Sequence, residues 1–149
     1  MTRENIELLI KDLCGRMPYG VKVKFIVNDI IAIEKNITYV IDGEYSYITD
    51  GKSYLTLDII KALFNNDLDE IKPYLFPMSS MTEEQKNSFP FSYSFLEALI
   101  DGGVYFYEDE CITLNDMIVV IQWCYKNHFD IYGLIPMGLA IDATGLNIY

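Results

Sequence analysis

The sequence predicts an α+β fold: an N-terminal helix, an antiparallel β-meander free to curl strongly, then helices packed on one face. Three observations carry that expectation. A helical apolar stripe runs through the first seventeen residues, alternating patterning with regularly spaced turn residues fills 20–57, and capping boxes precede apolar runs beyond residue 80. At 149 residues, with no repeat, flexible linker or low-complexity tract, the chain reads as a single domain over 1–149.

The first helix starts at Thr2, whose hydroxyl can cap a free N–H, and Glu4 and Glu7 suit its positive end. Ile6, Leu9, Ile10, Leu13 and Met17 make the apolar stripe, while Glu4, Lys11 and Asp12 fall on the face expected to meet water. Gly15 and Pro18 bracket its end.

Val21, Val23, Phe25 and Val27 alternate with Lys22 and Lys24, the pattern of a strand with one core face. Turn signals follow at Asn28-Asp29, Lys35-Asn36, Asp42-Gly43 and Asp50-Gly51, which predicts short strands over 30–34, 37–41, 44–48 and 53–57. A short helix over 58–66 is capped by Asp58, and 71–76 is expected to return as an edge strand, because Pro73 cannot donate to a ladder.

Thr82 to Gln85 and Ser94 to Glu97 are capping boxes that predict two short helices, the second running through Ile100 to a stop at Gly102-Gly103. Residues 104–107 read as a strand and Glu108-Asp109-Glu110 as its exposed turn. For 114–126 a buried strand and a helix compete. The Thr113 cap, early Asp116 and late Lys126 favour a helix, apolar on nearly its whole circumference and therefore central and buried.

The net charge of −11 is uneven: residues 1–35 carry about +1 and residues 36–149 carry −12. Such a surface repels phosphate backbones, so direct nucleic-acid binding is not expected. Cys14, Cys111 and Cys124 lack metal-like spacing, and a single histidine does not complete a zinc site. They read as buried free thiols in a reducing, cytoplasmic compartment, with no metal or cofactor implied. The opening residues do not form a signal peptide, and no apolar run suits a membrane span.

His128 near Asp130 is the one conceivable acid–base pair, with Ser80 a conceivable nucleophile. A histidine after a helix more often serves the helix end, and Ser79 and Ser80 fit turn and cap chemistry without a nucleophile elbow. Glu108, Asp109 and Glu110 lack the alternating spacing of a calcium loop, and the pairs Asp42 with Glu44 and Asp50 with Asp58 have no fixed placement. Tyr74, Phe76, Pro77, Met78 and Met81 are the interaction candidates: exposed, they suit a protein interface; buried, they form the seam between sheet and helices.

Three stretches, Leu13-Cys-Gly-Arg-Met-Pro-Tyr-Gly-Val-Lys-Val, Lys72-Pro-Tyr-Leu-Phe-Pro-Met-Ser-Ser-Met-Thr-Glu-Glu and Asn127-His-Phe-Asp-Ile-Tyr-Gly-Leu-Ile, are similar to a family of small uncharacterised proteins. Those proteins come from gut Bacteroidetes and their phages or mobile elements. The resemblance implies a small accessory protein and brings no catalytic residue or cofactor. The expected function is therefore a non-catalytic phage or mobile-element accessory protein that binds another protein or its own copy. The alternatives are an acidic nucleic-acid mimic that blocks a DNA-binding host protein, and a small enzyme using His128 with Asp130 or Ser80.

Overall fold

The computed structural model describes residues 2–27, 31–42, 45–49, 71–101 and 112–149. The fold is α+β. Helix α1 spans Arg3–Arg16, with the Thr2 hydroxyl accepting from the Asn5 N–H. A 3-10 turn, Met17–Tyr19, follows and ends at Gly20, whose φ of 74° suits glycine. Strands β1 (Val21–Val27), β2 (Ile31–Asp42) and β3 (Tyr45–Thr49) come next, then β4 (Ile71–Leu75). Helices α2 (Glu83–Asn87), α3 (Tyr93–Ile100) and α4 (Leu114–Lys126) follow, and β5 (Ile141–Asp142) completes a five-stranded sheet of order β3-β2-β1-β4-β5.

The meander holds over β1–β3, and then the topology departs from it. β4 crosses to the far side of β1, antiparallel to it, and β5 lies parallel to β4, so the sheet is mixed. The turn expected at Lys35-Asn36 does not form. Those residues pair with Val23 and Lys22 inside one continuous β2, because β1 supplies ladder partners there and pairing overrides local turn preference. Beyond residue 37 the same strand takes β3 as its partner, from Thr38–Thr49 to Asp42–Tyr45.

β4 is not the edge strand that Pro73 suggested. It lies between β1 and β5, and Ile71, Pro73, Tyr74 and Leu75 are all buried, as suits an inner strand. Pro73 is tolerated because it faces Val23 on one side while β5 reaches only Tyr74 and Leu75 on the other.

Both the Thr82–Gln85 box and the Thr113–Asp116 box form as reciprocal caps. The second short helix begins earlier than its sequence pattern implied: Ser92 is the cap residue and Ser94 lies within α3. α4 is a helix, yet it is not buried all round. Val120, Cys124 and Tyr125 are buried, whereas Leu114 is 79% and Ile118 45% exposed. The expected elements over 53–57, 58–66 and 104–107, the Gly102-Gly103 stop, the 108–110 turn, the carboxylates of Glu44, Asp50 and Asp58, and Cys111 lie outside the described residues.

Among the described residues two clusters form the core. The first is mainly aliphatic, joining Leu9, Leu13 and Met17 of α1 and its following turn to Val21, Val23, Ile37, Ile71 and Leu75 of the sheet, with Leu134 and Leu139. The second, richer in aromatic rings, joins Met81, Phe89, Phe95, Leu96, Val120, Cys124 and Phe129, with Phe76, Phe91 and Trp123 packed against it. Each such side chain, fully buried, contributes about 1.5–3 kcal/mol. Among the described residues no helix is long and apolar enough to cross a membrane.

Candidate functional site

Among the described residues the buried polar side chains, Asp12, Arg16 and Asp130, gather where α1 meets the turn after α4. Asp12 and Arg16 stand one helical turn apart and are both fully buried, against the expectation that Asp12 meets water. Arg16 Nε donates to Asp12 Oδ2 at 2.7 Å and Nη2 to Asp12 Oδ1 at 2.8 Å, a bidentate pair. Nη2 also donates to the Phe129 carbonyl at 2.7 Å, which ties α1 to the aromatic cluster across the molecule. The guanidinium lies over the Tyr125 ring, 5.0 Å from its centre. Burial pushes the Asp12 carboxyl above its ordinary range by more than the Arg16 hydrogen bond and charge pull it down, and Asp130 adds to the rise.

Gly15 is part of this junction rather than a simple helix stop. A Cβ at Gly15 would lie 2.4 Å from Cε2 of Tyr125, so glycine lets that ring approach α1. The Tyr125 hydroxyl in turn shares a 3.2 Å hydrogen bond with that of Tyr132.

The chain leaves α4 through a Schellman turn. The His128 N–H donates to the Tyr125 carbonyl and the Phe129 N–H to the Cys124 carbonyl, with His128 left-handed at φ 59°. A histidine occupies the position usually given to glycine, so its side chain must offset a backbone cost of about 1–2 kcal/mol. The imidazole does so by stacking on Tyr149, with centroids 3.7 Å apart and planes inclined by 10°. Burial, helped by the nearby Arg16 charge, lowers the His128 pKa to about 4, so the ring is neutral at neutral pH. Among the described residues, His128 Nδ1 and Arg16 Nη1 have no hydrogen-bond partner.

The three catalytic candidates do not meet in a hydrogen-bonded array. Asp130 accepts from the Leu134 and Ile135 N–H groups, each at 2.8 Å, and so shapes the turn that returns to the aliphatic cluster. Its own N–H donates to Phe76 O, while Phe76 N–H donates to His128 O, a strand-like bridge of Phe76 with Phe129. The Ser80 hydroxyl donates to Pro77 O at 2.8 Å, as a turn serine does. Cys124 is a buried thiol pushed up to about 12 by burial and holds its proton. Cys14 is exposed, contrary to the expectation of a buried thiol, because it points away from the stripe that carries Leu9 and Leu13.

Of the interaction candidates, Tyr74 and Met81 are buried. Phe76, Pro77 and Met78 are half-buried, with Phe76 and Met78 packed against the aromatic cluster. Most of the segment is thus packed into the fold, with Phe76, Pro77 and Met78 still partly open to solvent. A shallow cleft of about 360 Å³ lies elsewhere, lined by Lys86, Tyr93, Leu96, Glu97, Ile100 and Asp101. No group of three or more metal-ligating side chains occurs among the described residues.

Sequence reasoning missed the Asp12–Arg16 pair and Tyr149. The first had a signal, opposite charges four residues apart on one helix, but that spacing also describes an ordinary surface pair such as Arg3 with Glu7. Compared with protein-family models, with curated proteins and with solved structures, the chain matches none.

Proposed function

We propose that the protein is a non-catalytic accessory protein that acts by binding another protein, in keeping with the phage and mobile-element resemblance of its motifs. The observation that supports this reading is the apolar face of α4. Leu114 and Ile118, one turn apart, are 79% and 45% exposed, and Tyr93 on α3 is 55% exposed. Large apolar side chains grouped on a helix suit a protein contact more than a solvated face. The catalytic alternative has less support: Asp130 and Ser80 are engaged by backbone groups and His128 by Tyr149.

Capture of a partner from host extract, repeated with a Leu114→Asp/Ile118→Asp variant at low and high salt, tests the proposal. The expected result is a complex that survives high salt and is lost in the variant. A complex indifferent to the substitutions and dissolved by salt overturns it in favour of acidic mimicry, since charge-driven binding weakens steeply with ionic strength.

A further inference from the structure

The pairing of β1 with β4 ends at Val23–Pro73. One step further along the antiparallel register, Lys22 and Tyr74 come opposite each other, and there the Tyr149 hydroxyl stands between them. It accepts from the Lys22 N–H at 3.1 Å and donates to the Tyr74 carbonyl at 2.9 Å. Pro73 has no N–H to exchange with Val23, so in the alternation of an antiparallel ladder the hydrogen-bonded position falls on Lys22 and Tyr74. A side-chain hydroxyl thus relays a bond that two strands would otherwise make directly.

Tyr149 is held by ring contacts, yet the residue keeps an open side, as an exchangeable occupant would. Its ring lies flat on His128 and 5.9 Å from Phe76, while the residue as a whole is 46% exposed. Thr144, Gly145, Leu146 and Asn147, which lead to it, are exposed. Within the segment the Thr144 N–H donates to Asp142, the Leu146 N–H to the Ala143 carbonyl and the Ile148 N–H to the Leu146 carbonyl, and the Lys22 ammonium reaches the Ile148 carbonyl.

We propose that Lys22, Tyr74, Phe76 and His128 form a binding slot for a para-substituted phenol, in the form of a tyrosyl side chain, and that Tyr149 is its occupant from the same chain. The chemistry selects this class. One atom must accept from an N–H and donate to a carbonyl, which a hydroxyl does and a phenylalanine ring does not. That atom must sit at the far end of a flat ring able to stack on imidazole, which serine and threonine lack. A tyrosyl group from elsewhere enters only when Tyr149 leaves, so the chain's own Tyr149 acts as a built-in competitor.

The experiment is chemical rescue with p-cresol. In a Tyr149→Ala variant, p-cresol at about ten times its dissociation constant is expected to raise the melting temperature by about 3–6 °C. The same concentration leaves the wild-type chain unshifted, and toluene, which lacks the hydroxyl, rescues much less. Equal shifts in wild type and variant, or none in the variant, overturn the proposal. Should the alanine variant not fold, Tyr149→Phe decides: hydrogen exchange at the Lys22 amide is expected to quicken at least about tenfold, and unchanged exchange there overturns the relay on which the slot depends.

Discussion

The two core clusters solve burial with different chemistry. The aliphatic cluster joins α1 to the sheet, and its contacts are non-directional. The aromatic cluster is built from oriented rings: Trp123 stacks on Phe129 with planes 14° apart, and Phe89 meets Trp123 edge-on at 89°. Between them lies the one wholly buried ion pair described, Asp12 with Arg16, whose third hydrogen bond reaches Phe129. Such a pair gives little net stability against an apolar replacement, because desolvation of both charges offsets their attraction. What it supplies here is a directional link, with Arg16 on the carbonyl of Phe129, whose ring stacks on Trp123.

Breaking that link has the largest expected effect. Arg16→Met leaves the Asp12 carboxylate buried without a counter-charge and is expected to cost about 3–5 kcal/mol in urea unfolding at pH 7. Replacing both, Asp12→Leu with Arg16→Met, is expected to recover most of that loss, since no lone charge remains. A double variant as unstable as the single one would mean the stability resides in the pair itself. Trp123 fluorescence reports the aromatic cluster and far-UV circular dichroism the whole fold. In the wild type the two transitions are expected to coincide; separate midpoints would show that Arg16 does not couple the clusters.

Next in size is the pH dependence at His128. In the unfolded chain the imidazole protonates near its ordinary value of about 6.5, while in the folded chain it stays neutral down to about 4. Between those values the unfolded state binds more protons, so stability is fully present above about pH 6.5 and is lost as pH falls toward 4. The half-buried ring is partly screened by solvent, which limits the loss to about 2 kcal/mol. His128→Asn keeps a residue that accepts the left-handed conformation and removes the imidazole. Its stability profile is expected to lose this slope, and an unchanged profile would place the titration elsewhere.

Gly15→Ala sharpens the comparison on the α1 side. Alanine favours a helix over glycine by about 1 kcal/mol, yet its methyl would push the Tyr125 ring from both Arg16 and Tyr132. The net expectation is a loss of about 1–2 kcal/mol in denaturant midpoint, as for other overpacked sites. A stabilised variant would show that the ring can move without cost.

What the sequence discloses follows the range of the forces involved. Thr2, Thr82 and Thr113 announce the starts of α1, α2 and α4, because a cap is made within three residues. The stripe of Leu9, Leu13 and Met17 announces the buried face of α1 in the same local way. The position of β4 is not local: Pro73 argues for an edge, and only the shortness of β5 permits it inside. Lys35 and Asn36 look like a turn until β1 is known to run opposite them. Asp12 looks wet until Phe129, 113 residues beyond Arg16, is brought to that arginine. Tyr149 shows nothing in sequence, since its partners Lys22 and Tyr74 are 127 and 75 residues away.

The smallest effect separates the two capping boxes, one on each side of the pairing of neutral with charged caps. Thr82 is matched with Gln85, which does not titrate, and Thr113 with Asp116, which does. The Thr113 hydroxyl and N–H both donate to Asp116 and hold its carboxyl below the usual carboxylate range. A lowered folded pKa means a contribution present above the ordinary value, about 3.9, and lost as pH falls through the folded one. Thr113→Ala and Thr82→Ala are each expected to cost about 1 kcal/mol near neutral pH. As pH falls through the lowered folded value the cost of Thr113→Ala should shrink, because the protonated Asp116 no longer needs the donors, while that of Thr82→Ala should hold steady. Urea midpoints of both variants across pH 2.5–7 measure this. A parallel decline in the two would show that acid weakens the helix ends generally, and that the carboxylate in the α4 box has no separate part in holding its first turn.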